Sequence, residues 1–264
     1  MSYTNYDQSF RRNKLAEPSQ LTADANLWTP TADQKHMLGC IFETNQGDRY
    51  KYCKNGAVAL GKALVVAAEA YAAAQIGPVQ TAYGVAAGET TFEILCTTAS
   101  VISDDELVDG YLIVNDGGDA MGDSYIIKSN KWTTGDTVMR VTIADEGGLR
   151  TAIAATDDVS FVKNQCRDVI VKPTTLISPM VGVTTTAVTA SYYFWAKTKG
   201  VTVCTIDTGD TVVVGEPIGH IDGSGTAGSV GLVSTHATDV VLDTCLMVAT
   251  GAEVGLINLQ IPGM

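Results

Sequence analysis

Tyr192-Tyr-Phe-Trp-Ala-Lys-Thr-Lys-Gly200-Val-Thr-Val-Cys-Thr-Ile-Asp-Thr-Gly-Asp210-Thr-Val-Val-Val-Gly-Glu-Pro-Ile-Gly-His220 is the stretch that decides the fold class. Three apolar bursts, aromatic or β-branched, are separated by Lys199-Gly200 and by Asp207-Thr-Gly-Asp210. Such side chains fit a pleated, half-buried surface, while glycine and aspartate supply the backbone angles of tight turns. The pattern predicts a three-strand meander. On its first strand Tyr193 and Trp195 fall on one face and Tyr192 and Phe194 on the other. Aromatics on both faces predict cover on both sides, by the chain's own core and by a loop or second subunit. Tyr193 and Trp195 are therefore candidates for subunit or core packing.

Working outward, the same grammar recurs. Thr90–Thr97, Gly110–Val114, Ser124–Lys128, Thr137–Ile143 and Val169–Val171 read as short strands between Gly, Asp and Asn turns. Leu38–Phe42 and Arg49–Lys54, joined by Asn45-Gln-Gly-Asp48, read as a hairpin. Asn55 is placed to cap a helix over 56–75, although Gly61, Val65 and Val66 favour a short helix followed by a strand. Leu149–Ala155 offers one or two further helical turns. Residues 1–35 show no apolar period and carry Arg11, Arg12, Lys14, Pro18 and Pro30, which predicts a disordered tail or an arm that orders on a neighbour. The expected fold is mainly β: a sandwich or barrel of short antiparallel strands with an extended N-terminal arm and one or two short helices. The expected division is an arm over 1–35, a β-rich domain over 36–175 with the helix near 56–75, and a β-barrel or meander domain over 176–264 packed on the first.

Charge narrows the function classes. The net charge is −12, and from Gly56 onward ten basic residues face twenty-three acidic ones. Beyond Lys199 there are seven acids and no Lys or Arg. Nucleic-acid affinity comes largely from cations that neutralise phosphates, so no direct nucleic-acid partner is expected. The longest apolar run, Ala63–Ala68, ends at Glu69 and is too short to cross a bilayer, so no membrane partner is expected either. The opening Met-Ser-Tyr-Thr-Asn-Tyr-Asp is polar and reads as no export signal. Six scattered cysteines without paired spacing then predict free, mostly buried thiols in a reducing cytoplasm.

Chemistry-bearing motifs are few. Gly209-Asp-Thr-Val-Val-Val-Gly-Glu-Pro-Ile-Gly219 is similar to the turn of sandwich-barrel folds such as lipoyl carriers and lysostaphin-type zinc peptidases. A carrier needs a lysine at its hairpin tip, and a zinc peptidase needs His-x-x-x-Asp with His-x-His to hold the metal. Here His36 is followed by Cys40, and His220 and His236 stand alone, so the stretch reads as a structural turn. Asp116, Asp119 and Asp123 in a glycine-rich loop could offer oxygens to calcium, although such loops are ordinarily solvated. Asp104-Asp-Glu106 reads as a solvated turn or helix start. No catalytic residue, metal site or cofactor is assigned, and the expectation is a protein without enzymatic activity.

Four further patches carry a resemblance. Arg49-Tyr-Lys-Tyr52 with Lys54-Asn-Gly-Ala-Val-Ala-Leu-Gly-Lys62 resembles the opening of small structural proteins of tailed-phage heads. So do Asp109-Gly-Tyr-Leu-Ile-Val-Asn-Asp116 and Ser124-Tyr-Ile-Ile-Lys-Ser-Asn130. Tyr193-Phe-Trp-Ala-Lys-Thr-Lys-Gly200 resembles their "YFWVQTKG" strand, followed there too by a strand, a turn and "VxGxP". The resemblance runs in patches over residues 38–220. It implies a head decoration (cement) protein, a mainly β homotrimer on the capsid exterior of the virion, made in the host cytoplasm and bound to the major capsid protein. Under that reading Tyr3, Tyr6, Phe10, Arg11, Arg12 and Trp28 are the candidate capsid-contact residues. The alternatives are a phage tail, fibre or host-recognition module, with residues 222–238 as its loops, and a sandwich-barrel cell-wall hydrolase.

Overall fold

The structure, a computed structural model, describes residues 26–70, 79–81, 84–96, 102–116, 118–133, 138–175, 177–220, 225–233 and 240–261. Strands β1 (Ile41–Glu43) and β2 (Arg49–Lys54) form the expected hairpin, with Phe42 opposite Tyr50. The helix expected near 56–75 does not form over its described part. Instead β3 (Val65–Ala67) is a fully buried strand. Asn55 does not cap a helix; its amide donates to the carbonyls of Val58 and Thr189. Two glycines and a β-branched pair leave the stretch little helical preference.

A closed antiparallel barrel follows. Its strands are β4 (Val79–Thr81), β5 (Thr91–Leu95), β6 (Tyr111–Val114), β7 (Ser124–Trp132), β8 (Val138–Ile143) and β9 (Asp158–Val162). They close in the order β4-β5-β8-β7-β6-β9. Alternation along β5, β6 and β7 turns Phe92, Ile94, Leu112, Tyr125 and Ile127 inward against Met139, Val141 and Phe161. A three-residue 3-10 turn, Gly118–Ala120, is the one helical element among the described residues. Leu149–Ala155 is not helical: Ile153 bridges Val85 in extended conformation, and Leu149 is buried in the barrel core.

The remaining strands are β10 (Ile170–Val171), β11 (Met180–Thr184), β12 (Tyr193–Thr205), β13 (Thr211–Val212), β14 (Pro217–His220), β15 (Gly231–Leu232), β16 (Val240–Cys245), β17 (Ala249–Thr250) and β18 (Val254–Gln260). A large antiparallel sheet runs β10-β3-β11-β12-β18-β16-β14-β15, with the β1–β2 hairpin attached to β12 and the pair β13–β17 apart. The sheet takes strands from both sides of the barrel. Position 175 therefore lies between β10 and β11, two strands that flank β3 in one sheet.

The quoted stretch folds differently from a meander. Its first two bursts are one strand of 13 residues, β12, and Lys199-Gly200 lies inside it. The register shifts between Lys197 and Lys199, and Gly200 takes φ +100°. There β12 exchanges one partner for another, from β2 over Tyr193–Lys199 to β18 over Lys199–Thr205. A glycine at a β-bulge bends a strand without ending it. The third burst splits into β13 and β14, which pair with β17 and with β15 and β16 rather than with β12.

Candidate functional site

The chain from Asn26 to His36 lies against the body rather than in a free arm. A turn at its start is closed by the Trp28 N–H on Asn26 Oδ1 at 3.2 Å. Thr31 then exchanges two backbone hydrogen bonds with Tyr193 of β12, at 2.9 and 2.8 Å. Leu27 packs on the core beneath, while the Trp28 side chain is turned outward, 61% exposed. Of the candidate capsid-contact residues, Trp28 is thus at the surface. Tyr3, Tyr6, Phe10, Arg11 and Arg12 lie outside the described residues.

Tyr193 and Trp195 come together with residues from the two preceding segments. The Trp195 ring lies 5.1 Å from Tyr52, 5.2 Å from His36 and 6.0 Å from Phe42, and Tyr193 stacks on Tyr52 at 5.9 Å. Edge and offset arrangements of this kind contribute about 0.5–1.5 kcal/mol per pair beyond area burial. The Tyr52 hydroxyl accepts from the Lys35 N–H at 2.9 Å, which ties the segment before β1 to the sheet. Phe194, on the opposite side of β12, is buried too, so the first half of the strand, up to Thr198, is covered on both faces within one chain. Trp195 is a core residue here, and Tyr193 is half-buried at the edge of the cluster.

The weaker motifs resolve into structural roles. His36 sits among aromatic rings, and His220 is fully buried in β14. Asp123 receives the Tyr125 hydroxyl at 2.8 Å and the Arg150 guanidinium at 3.1 Å. Among the described residues no group of three or more His, Cys, Asp or Glu is arranged to hold a metal ion. The acids of the 207–219 stretch brace turns: Asp207 accepts the Thr226 N–H, Asp210 the Leu232 N–H and Glu216 the Val213 N–H. Asp104–Glu106 forms a turn, closed by the Ser103 N–H on Glu106 at 2.6 Å. All six cysteines are unpaired, five of them buried. Burial pushes the Cys40 and Cys204 thiols up to about 12, which keeps them protonated. An open cleft of about 550 Å³ beside the Val85–Ile153 bridge, bounded also by Gly118 and Thr151, has Asp119 and Asp157 as its titratable groups, and Asp157 accepts the Ala154 N–H.

One constellation had no motif to announce it. Lys163, just past β9 and 5% exposed, binds Glu69, Glu106 and Asp168 at 2.6, 3.1 and 2.9 Å. Asp168 also receives Lys54 at 2.9 Å. These carboxylates come from before, within and after the barrel, so a single ammonium ties the barrel to the sheet. Beside it the Asn164 amide donates to the Leu38 and Asp109 carbonyls. Burial works against the Lys163 charge, but the three carboxylates outweigh it and raise its pKa. Burial likewise opposes the Asp168 charge, and the two lysines outweigh it and lower its pKa. Lys172 has no such company: its side chain is nearly sealed, and burial lowers its pKa to about 8 despite the field of Asp207.

Comparison with protein families, with curated proteins and with solved structures finds no match for this chain.

Proposed function

We propose that this chain is a non-enzymatic virion structural protein that binds the outer surface of a tailed-phage capsid and stabilises it. Its partner is the major capsid protein, and its working unit is a homotrimer. The observation that carries the reading is where the aromatic motif lies. Tyr193–Gly200, which resembles the strand of head decoration proteins, is the part of β12 that pairs with β2, with β11 and, through Tyr193, with Thr31. Whatever precedes residue 26 is therefore rooted on the central strand, beside an exposed Trp28. An arm rooted there can lie across neighbouring subunits, with main-chain hydrogen bonds and the anchors Tyr3, Tyr6, Phe10, Arg11 and Arg12 adding affinity. Many such weak contacts, repeated by capsid symmetry, sum to stable attachment. A net charge of −12 also keeps a densely covered particle from self-association.

Co-sedimentation with particles that lack the protein tests the reading. The full chain is expected to pellet with the particles. A chain beginning at residue 26 is expected to melt as the full chain does and to stay in the supernatant. Equal binding by both removes the arm from the account. Absence of binding by the full chain removes the capsid reading, and binding to host cells or glycans instead points to a tail, fibre or host-recognition role.

A further inference from the structure

Three of the six cysteines meet in the fold. Cys53 lies in β2 and Cys166 in the segment that leaves the barrel after β9. Both are buried in the core that holds Trp195, and half-buried Cys40 packs against it. Backbone hydrogen bonds set the spacing. The Lys54 N–H donates to the Cys166 carbonyl at 2.8 Å and the Val169 N–H to the Lys54 carbonyl at 2.9 Å, so residues 166–169 run parallel to 54–55. Segments paired in this way lie about 4.8 Å apart, within the roughly 4.4–6.8 Å between Cα atoms that a disulfide spans. On the other side, the Gly39 N–H donates to the Tyr52 carbonyl at 2.8 Å, and the Cys40 carbonyl accepts the Tyr52 N–H at 3.0 Å. Gly39 lies over Cys166, since a Cβ built on it would stand 3.8 Å from Cys166 Sγ. The Cys53 and Cys166 thiols hydrogen-bond to each other.

The other three cysteines stand in different cores. Cys96 belongs to the barrel interior, and Cys204 and Cys245 pack with Ile257 and Leu259 of β18, where the Cys245 thiol donates to the Met247 carbonyl at 2.9 Å. The hydrogen-bonded pair is also unequal. The hydrogen bond from Cys53 lowers the Cys166 pKa; burial opposes it, and the Lys51 charge adds to it. Burial, and then the neighbouring Cys166, raise the pKa of Cys53. The thiolate is the nucleophile in thiol chemistry, so Cys166 is the sulfur that reacts first and Cys53 the one placed to follow.

We propose that Cys53 and Cys166 are a redox pair, reduced in this structure and closed to a disulfide by a hydroperoxide, which locks the junction between the barrel and the sheet. In the first step the Cys166 thiolate attacks the outer peroxide oxygen. The O–O bond breaks, the leaving alkoxide takes up the thiol proton, and Cys166 becomes a sulfenic acid. In the second step Cys53 Sγ displaces that oxygen. The S–S bond forms, the S–O bond breaks, and the hydroxide leaves as water with the Cys53 proton. Two thiols and one hydroperoxide give one disulfide, one alcohol and one water; the sulfurs are oxidised and the peroxide is reduced. The new bond closes a loop over residues 53–166 that contains β3 and all six barrel strands. It forms where Lys54, Asp168 and Lys163 already hold the same two segments by ion pairs. A cross-link around so long a loop restricts the unfolded chain and raises stability. The pair lies within one chain, so it succeeds or fails separately from the capsid reading.

Disulfide mapping of the full chain is the test. The folded protein is treated with excess hydrogen peroxide, its remaining thiols are blocked with N-ethylmaleimide, and it is digested without reduction for mass spectrometry. One predominant cross-link is expected, Cys53–Cys166, reversed by dithiothreitol. The cross-linked chain is expected to melt on the order of 10 °C above the reduced one. The same treatment in urea, where the fold no longer selects partners, is expected to give mixed pairings. Cys53→Ala is expected to leave a sulfenic acid on Cys166 that dimedone labels, and Cys166→Ala to leave Cys53 unlabelled. The wild-type map stands even if either variant unfolds. Cys53 and Cys166 both recovered as free thiols, a cross-link to Cys40 in preference, native pairings as mixed as those in urea, or a cross-linked chain that melts no higher than the reduced one would each overturn the proposal.

Discussion

Substitution Lys163→Met removes the ammonium that three carboxylates share and keeps a side chain of similar length. Breaking a buried ion pair from one side costs about 3–5 kcal/mol, because the remaining charge is left without its partner. The surroundings place this case at the lower end. Asp168 keeps Lys54 at 2.9 Å, and Glu106 keeps the Ser103 N–H. Glu69 has a side chain 47% exposed and regains water. A loss of about 3 kcal/mol is expected, which lowers the melting temperature by roughly 6–12 °C in a chain of this size. Glu69→Gln, by contrast, alters an exposed partner and should cost no more than about 1 kcal/mol.

The pH dependence gives the same test a sign. The folded pKa of Asp168 is lowered, so its contribution is complete above the ordinary carboxylate range and is lost as pH falls through the folded value. That of Lys163 is raised, so its contribution is complete below the ordinary lysine value and is lost as pH rises through the folded value. In Lys163→Met both limbs of the stability profile should flatten. Thermal and urea melts followed by circular dichroism between about pH 3 and pH 11 read out both effects. A variant within about 1 kcal/mol of wild type, or a Glu69→Gln loss equal to that of Lys163→Met, would refute the reasoning.

Three other substitutions probe the rest of the fold. Lys172→Met should stabilise the chain near neutral pH by on the order of 2–3 kcal/mol. The wild type should gain stability as pH rises from about 8 toward about 10.4, since only the unfolded lysine still holds its proton there, and urea melts should show the variant without that rise. Trp195→Ala should cost about 3–5 kcal/mol, measured by the same melts, because the ring fills the core of a single chain. Gly182→Ala should also destabilise, since a Cβ there would stand 2.6 Å from that of Ala196 on the neighbouring strand, and a lower urea midpoint with an unchanged slope would confirm it.

The elements most legible in the sequence are those fixed by neighbours along the chain. Alternation in Arg49–Lys54 and the Asn45–Asp48 turn specified the first hairpin, and the short strand read over Ser124–Lys128 is the first part of β7, which runs on to Trp132. Misreadings arose where a residue type has two uses. Glycine at 200 reads as a turn in the sequence, although in the fold its positive φ falls beside a bulge within a continuous strand. Asn55 can cap a helix, yet its amide serves two carbonyls from different parts of the chain. Partner choice was the other gap. Val65–Ala67 reads as one more apolar triplet, and nothing local says that it lies between β10 and β11, about a hundred residues on. For the same reason Lys163, Glu69, Glu106 and Asp168 could not be grouped in advance, since they are ordinary surface residue types joined by topology alone. Among the candidate site residues, the two-faced burial of the aromatic strand was legible, because alternating large rings allow little else.

Quantitative mass spectrometry of purified phage particles tests the central claim most directly. A protein that coats a capsid is expected on the order of hundreds of copies per particle, in fixed proportion to the major capsid protein. Its absence from intact particles, or catalytic turnover by the soluble chain, would contradict the account.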